Sequence, residues 1–308
     1  MPGPPRLFDR RLHRLRLDRA ARSGLAADFL NRRVAEDFVD RVGSVNRRFA
    51  VAVEMGAGRG AFAQALAASD VSDKIDLLIE TDVSAAMLGA RSGARLAADD
   101  EALPFAPASL DLLVSSLSLH WVNDLVGALI QIRRALKADG LFIGAMLGGA
   151  TLSELRQALL EAEASLCEGA GPRVSPFADA FDAASLMQRA GFALPVVDVD
   201  RVAVRYDHLR NLIGDLRAMG ETSALIDRPL APLTAPLLAR ASEIYADRFA
   251  TADGRITATF EILTLTGWAP HPSQPRPLKP GSAKMRLADA LARPSVPATA
   301  KRERRRPA

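Results

Sequence analysis

A glycine-rich turn follows the short apolar run at residues 50–55. Gly56, Gly58 and Gly60 stand in this turn, and a helix-like run comes directly after them. Glycines at such a place let the backbone approach a ligand closely, and the start of a helix offers free N–H groups to a polar group. Asp82, 22 residues after Gly60, ends a second apolar run, where a carboxylate can accept both ribose hydroxyls. The arrangement predicts a nucleoside-binding site.

Two cofactor patterns fit these glycines. The NAD pattern, G-x-G-x-x-[GA], is met by Gly56, Gly58 and Ala61. The S-adenosylmethionine (SAM) pattern, an acidic residue followed by G-x-G-x-G, is met by Glu54 and the glycines through Gly60. The glycines alone do not decide between the two cofactors, so both nucleosides stay open on this motif.

Strand-like and helix-like runs alternate along the middle of the chain, and these elements must position the glycine turn. Helix-like runs separate four short apolar runs, at residues 50–55, 75–80, 110–116 and 141–147. Strands that are apolar on both faces and alternate with helices are typical of a parallel sheet covered by helices on both sides. Two later β-rich runs, at 195–206 and 255–268, enclose a helical insert at about 207–250. The sequence therefore predicts an α/β fold.

Charge is distributed unevenly along the 308 residues, which carry a net charge of +4. Residues 1–50 carry +6 and residues 271–308 carry +8, which leaves −10 on residues 51–270. We expect a basic helical arm at 1–48, a cofactor domain at 49–270 and a basic, proline-rich tail at 271–308 whose end is disordered. This asymmetry predicts peripheral contact with an acidic partner or a membrane surface, and no nucleic-acid partner.

Several classes of protein are excluded by composition. The chain has a single cysteine, Cys167, which excludes an internal disulfide and a zinc site built from cysteines. No apolar run reaches the length of about 18 residues that a membrane-spanning helix needs, and the charged start lacks the apolar core of a signal peptide. None of the four histidines forms a His-x-Asp or His-x-Glu pair, so we predict no metal site.

A third motif, A-D-D-E-A-L-P-F at residues 98–105, comes before the run at 110–116. With it, the chain resembles the class I SAM-dependent methyltransferases. The resemblance implies a Rossmann-like fold with a seven-stranded, mostly parallel sheet and SAM as cofactor. In that superfamily the residue matching Asp82 takes the ribose, and the one matching Asp99 receives the adenine amino group. We expect SAM to contact Glu54, Gly56, Ala57, Gly58, Gly60, Asp82, Val83, Asp99, Asp100 and Ser115.

The acceptor of the methyl group should lie beyond the run at 110–116, where the chain reads S-S-L-S-L-H-W through Trp121. His120 can act there as a general base or orient the acceptor. A structural histidine that packs beside Trp121 is the alternative. The sequence leaves both roles open.

Longer motifs resemble one narrower family. They lie at residues 7–10, 116–125, 174–177, 190–192, 216–221, 266–268, 271–277 and 281–283. Together they resemble the family of NADH dehydrogenase (complex I) assembly factor 5, which includes bacterial relatives. The family's motifs make Trp121, Arg173, Ser175, Tyr206 and Glu221 candidates for substrate contact. A looser resemblance, at 103–105 and 120–121, is to the methyltransferase of biotin synthesis that acts on malonyl-carrier protein.

The resemblance leaves three functions open. The chain can methylate a protein side chain, of a respiratory complex I subunit for example, or hydroxylate an arginine as the mitochondrial family member is regarded as doing. It can be a malonyl-carrier-protein O-methyltransferase. It can also be an assembly chaperone that holds SAM as a structural ligand. Because the match begins at about Arg6, we expect a bacterial cytoplasmic protein; a eukaryotic one would lie on the matrix side of the mitochondrial inner membrane.

Overall fold

The computed structural model describes residues 6–23, 27–167 and 169–274. A seven-stranded sheet in the order β3-β2-β1-β4-β5-β7-β6 forms its centre. The strands are β1 (Phe49–Met55), β2 (Ile75–Asp82), β3 (Ala94–Ala97), β4 (Leu110–Ser115), β5 (Leu136–Leu147), β6 (Ala193–Tyr206) and β7 (Ile256–Trp268). The first five strands are parallel, and β7 runs antiparallel to both of its neighbours. The predicted Rossmann-like α/β fold with a mostly parallel sheet is confirmed.

Helices cover both faces of this sheet. They are α1 (Arg10–Arg22), α2 (Phe29–Ser44), α3 (Ala61–Ala67), α4 (Ala85–Leu88), α5 (Leu125–Ala135), α6 (Ser153–Leu166), α7 (Ala180–Arg189), α8 (Leu209–Met219) and α9 (Ala235–Phe249). Because successive strand residues point to opposite faces, neighbours such as Leu112 and Leu113 enter different cores. One core lies under α2, α3, α6, α8 and α9, and the other under α5 and α7.

The second N-terminal helix is part of the main core. The side chains of Phe38 and Val42 on α2 are fully buried against the sheet. On its outer side, Arg33 and Arg41 pair with Asp200 and Asp198 of β6, with N–O distances of 2.5 and 2.8 Å. The sequence assigned the basic charge of this region to contact with an outside partner. Part of that charge is instead paired within the chain, because α2 lies beside two aspartates of the edge strand β6. The boundary at residue 48 stays a prediction.

The sequence missed β3. This strand has four residues, none of them buried, so it lacks the apolar run by which the other strands were found. Between β2 and β3 the chain forms only the four-residue helix α4, which ends at Leu88 ahead of Gly89.

The chain divides into two units between His271 and Pro272, and the sheet with its helices lies in the first. The predicted proline-rich tail falls outside the described residues from position 275 onward. Within the described ranges, no helix has both the length and the apolar character needed to cross a bilayer.

Candidate functional site

The glycine turn joins β1 to α3 in a conformation that favours glycine. Gly56, Gly58 and Gly60 have φ angles of +65°, +51° and +81°. A Cβ on Gly56 would lie 2.5 Å from the Cβ of Ser118, so no other residue fits there. A Cβ on Gly60 would lie 2.7 Å from Nε of Arg91. The first glycine therefore lets the turn approach the segment after β4, and the third leaves room for the half-buried side chain of Arg91.

Asp82 ties the end of β2 to this turn. Its two carboxylate oxygens accept hydrogen bonds from the backbone N–H groups of Ser84, at 2.8 Å, and Gly58, at 3.0 Å. Burial raises the pKa of Asp82 to about 7, although both N–H groups oppose the shift. Each oxygen keeps a lone pair for a further donor. The carboxylate is thus fixed in place at the cavity and can still accept ribose hydroxyls.

Glu54, at the end of β1, lies behind the turn and is fully buried. Its Oε1 accepts a hydrogen bond of 2.8 Å from the hydroxyl of Ser116. Its Oε2 has no hydrogen-bond partner among the described residues. Burial raises the pKa of Glu54 to about 8, which the Ser116 hydrogen bond opposes. The side chain is therefore largely neutral at pH 7 and joins the turn to the segment after β4.

The two adjacent aspartates of the third motif face different surroundings. Asp99 accepts a hydrogen bond of 2.6 Å from the guanidinium of Arg10, and its side chain is 44% exposed. Asp100 is buried and lines the cavity, and burial raises its pKa to about 6 against the opposing charge of Arg10. The structure thus places Asp100 at the cavity wall and Asp99 beside α1.

A first cavity of about 320 Å³ opens at the carboxyl ends of β1, β2 and β4. Ligands bind at this edge in open parallel sheets. The predicted cofactor residues in its lining are Gly56, Gly58, Asp82, Val83 and Asp100. The other five, Glu54, Ala57, Gly60, Asp99 and Ser115, lie outside the lining. Helices α1 and α2 complete the cavity with side chains that include His13, Leu17 and Asn31.

A cluster of three polar side chains closes one end of this cavity. The carboxylate of Glu221, just after α8, accepts hydrogen bonds from Nε1 of Trp121, at 3.1 and 3.2 Å, and lies 3.1 Å from Nε2 of His120. Nδ1 of His120 faces the backbone N–H of Leu147 at 3.4 Å and must accept from it. Nε2 therefore carries the proton that is donated to Glu221. Both ring nitrogens of His120 are engaged, so this histidine positions Glu221.

His13 is a residue that the sequence reasoning did not select. It is 3% exposed, lines the first cavity and stacks on Trp121 with ring centroids 4.4 Å apart. Neither of its ring nitrogens has a hydrogen-bond partner among the described residues. Burial, with Arg10, His120 and Arg16 nearby, holds its pKa well below the usual value, so the ring is neutral at pH 7. The one sequence feature that could have identified His13 is its position on the same face of α1 as Ala20, the face that is buried.

A second cavity of about 390 Å³ adjoins the first. Trp121, Arg173, Ser175 and Glu221, all predicted substrate residues, line it. Tyr206 does not, because its side chain is buried in the core at the end of β6. Both linings include Leu30, Trp121, Leu147, Met219 and Glu221. Within the described ranges, no group of three or more His, Cys, Asp or Glu side chains is arranged to hold a metal ion.

The chain is similar to known proteins in sequence and in fold. A family model for a methyltransferase domain matches residues 53–144. The mitochondrial arginine-hydroxylase NDUFAF5 of Danio rerio is 40% identical over 290 residues, which cover 92% of this chain and 89% of that protein. A malonyl-[acyl-carrier protein] O-methyltransferase of Laribacter hongkongensis is 32% identical, over 87% of this chain and 92% of that one. The YcgJ protein of Bacillus subtilis shares the fold, with a TM-score of 0.51 at 15% identity over 78% of this chain and 99% of that one.

Proposed function

Since this chain belongs to the family of the arginine-hydroxylase NDUFAF5 and carries a methyltransferase domain, we propose that it is a SAM-dependent enzyme that modifies a protein side chain. The acceptor, by the same family relation, is a subunit of respiratory complex I. The observation that supports this most is the shared wall between the two cavities. A cofactor in the first cavity and an acceptor in the second would meet at Trp121 and Glu221.

The first cavity fits SAM on three observations. The turn at Gly56 has no space for a side chain, Asp82 has free lone pairs for the ribose, and Asp100 lines the wall beyond it. The carboxylates complement a cofactor that carries a sulfonium and an ammonium group. When bound, SAM supplies an activated methyl group. The chain itself positions the two ligands and excludes water from their contact.

Glu221 is the group best placed to take a proton from the acceptor. It lies in the wall that both cavities share, and Trp121 and His120 hold its carboxylate by hydrogen bonds. These two donors fix the orientation of the carboxylate. In this proposal His120 acts through Glu221 and does not itself touch the acceptor.

SAM affinity is expected to rise with pH between about 6 and 8. The ribose hydroxyls donate to an ionised Asp82, whose pKa without ligand is about 7, so binding below that pH must first release a proton. One such group changes affinity by at most about tenfold per pH unit. Calorimetry in two buffers of different ionisation enthalpy measures the proton release directly. Asp82→Asn should lose most of the pH dependence; a flat affinity in the native protein would contradict the coupling.

The reaction is tested by deleting the gene and mapping the masses of complex I subunits. A residue that is modified in the native strain and unmodified in the deletion identifies the acceptor. The deletion strain is then complemented with the Glu221→Gln variant, which keeps the side-chain shape. The variant should be present at the native level, but the rate of modification of the subunit should fall by about a hundredfold or more. Full modification by Glu221→Gln would show that this carboxylate takes no proton in the reaction.

The added mass also separates the functions that the family leaves open. A gain of one methyl group supports methylation, and a gain of one oxygen on an arginine supports hydroxylation. Failed assembly with every mass unchanged supports a chaperone that holds SAM as a structural ligand.

A malonyl-carrier-protein methyltransferase is the second candidate, because relatives with that activity align over most of the chain. Loss of biotin synthesis on deletion would favour it. For the location of the protein we propose the bacterial cytoplasm, near the membrane face where complex I assembles.

A further inference from the structure

The buried imidazole of His13 is a polar group of the first cavity that the proposed function leaves unused. Neither of its ring nitrogens has a hydrogen-bond partner among the described residues. Burial holds the pKa of the ring well below its usual value, so the neutral ring keeps one N–H donor and one lone pair. A buried donor and acceptor that stay unpaired destabilise the fold. A ligand in the cavity can remove that penalty by pairing with either nitrogen.

The polar side chains around this ring are engaged with one another. Nε1 of Trp121 and Nε2 of His120 both donate to the carboxylate of Glu221. On the other side, the guanidinium of Arg10 donates to Asp99 at 2.6 Å. None of these groups gives the imidazole a hydrogen bond, so its two nitrogens remain available to the cavity.

Packing alone does not explain a polar ring at this position. The imidazole stacks on the indole of Trp121, with centroids 4.4 Å apart and an angle of 22° between the planes. Phe8 meets the same indole edge-on, and Leu225 belongs to the same apolar cluster. A phenylalanine in place of His13 would stack equally well and would bury no unpaired nitrogen. The imidazole therefore points to a role for its nitrogen atoms.

Helix α1 holds this side chain at the cavity wall. Leu17, one turn further along the helix and so on the same face, lines the same cavity. At the start of the helix, the backbone N–H of Asp9 donates to the carbonyl of Ala224 at 2.8 Å. Further along, Asp18 accepts a hydrogen bond of 2.6 Å from the hydroxyl of Ser84. The imidazole is thus in position before a ligand binds, which reduces the entropy lost on binding.

We infer that His13 is a further cofactor-binding residue, and that one of its ring nitrogens forms a hydrogen bond with SAM in the first cavity. The inference rests on the proposed function, since it takes SAM as the ligand. A neutral ring suits a cofactor that carries a sulfonium, because an imidazolium would repel that charge. Helix α1, which the sequence placed in a peripheral arm, is thereby part of the cofactor site.

Calorimetry with SAM on the full-length protein compares three variants of this residue. His13→Phe keeps a flat ring for stacking on Trp121 and removes both nitrogens, so SAM should bind about five- to tenfold more weakly. His13→Asn places an amide near the position of Nδ1, and His13→Gln places one near that of Nε2. One of these two should return the affinity to within about threefold of the native value, and it identifies the nitrogen that pairs.

NMR of the ring nitrogens gives a readout that does not depend on affinity. The chain has four histidines, so the signals of the His13 ring are assigned as those that His13→Phe removes. Saturating SAM should shift these signals. It should not shift those of His208, an exposed residue before α8 that lines neither cavity. His208→Phe makes the same chemical change there and should leave the affinity for SAM unchanged.

The inference is wrong if His13→Phe binds SAM as tightly as the native protein, or if SAM leaves the His13 ring signals unmoved. It is also wrong if neither amide variant recovers affinity, because the loss then comes from the altered shape of the cavity. When the native protein binds SAM, each of these results refutes the assignment of His13 alone and leaves the enzyme proposal intact. When the native protein fails to bind SAM, the proposed function is refuted, and the role of His13 with it.

Discussion

Replacing Asp82 by alanine is expected to weaken SAM binding by about a hundredfold or more. Two hydrogen bonds from ribose hydroxyls to a charged carboxylate are lost, each worth about 1.5–3 kcal/mol. The variant also removes the acceptor for the backbone N–H groups of Gly58 and Ser84, so the glycine turn loses its link to the end of β2. Isothermal calorimetry with SAM measures the change.

A matched control lies on the same strand. Asp76 is near the start of β2, exposed and paired with Arg48 at 2.9 Å, far along the strand from the turn. Asp76→Ala should leave SAM affinity unchanged. Circular dichroism of both variants checks that the fold is retained. Equal affinity of Asp82→Ala and the native protein would show that the ribose assignment is wrong.

Replacing Phe38 by alanine is expected to lower the free energy of unfolding by about 3–5 kcal/mol. The Phe38 ring on α2 is fully buried, and it meets Phe62 of α3 edge-on with centroids 6.1 Å apart. Truncation leaves a cavity that a close-packed core fills only in part. Denaturation in urea, followed by far-UV circular dichroism, gives the difference.

Phe181→Ala makes the same chemical change on α7, where the side chain is 80% exposed. We expect it to alter stability by no more than about 0.5 kcal/mol. The pair also tests the domain boundary predicted at residue 48. If Phe38→Ala were as mild as Phe181→Ala, α2 would belong to a separable arm and not to the core.

Local features of the chain predicted much of the fold and part of the site. Apolar runs followed by glycine located the parallel strands, since a buried strand and a tight turn each leave a mark within a few residues. The same turn identified Gly56 and Asp82 as neighbours, because parallel strands end at one edge of the sheet. Strand β3 is short and exposed, so its sequence has no apolar run by which it could be predicted.

Contacts between distant residues were decided by the tertiary structure alone. The sequence motif singles out Asp99 for the adenine, but the fold brings Arg10 to that side chain and turns Asp100 to the cavity. The rings of His13 and Trp121 stack on each other because α1 forms part of the wall of the first cavity, where Trp121 also lies.

The sequence by itself determined a nucleoside site on an α/β sheet, since its turn, strands and first carboxylate are encoded locally. It placed the basic N-terminal residues in an arm. The tertiary structure packs α2 into the core and brings Arg16 and Arg19 of α1 to the second cavity beside Arg217. Helical periodicity shows that one face of a helix is buried; only the complete fold shows which surface covers it.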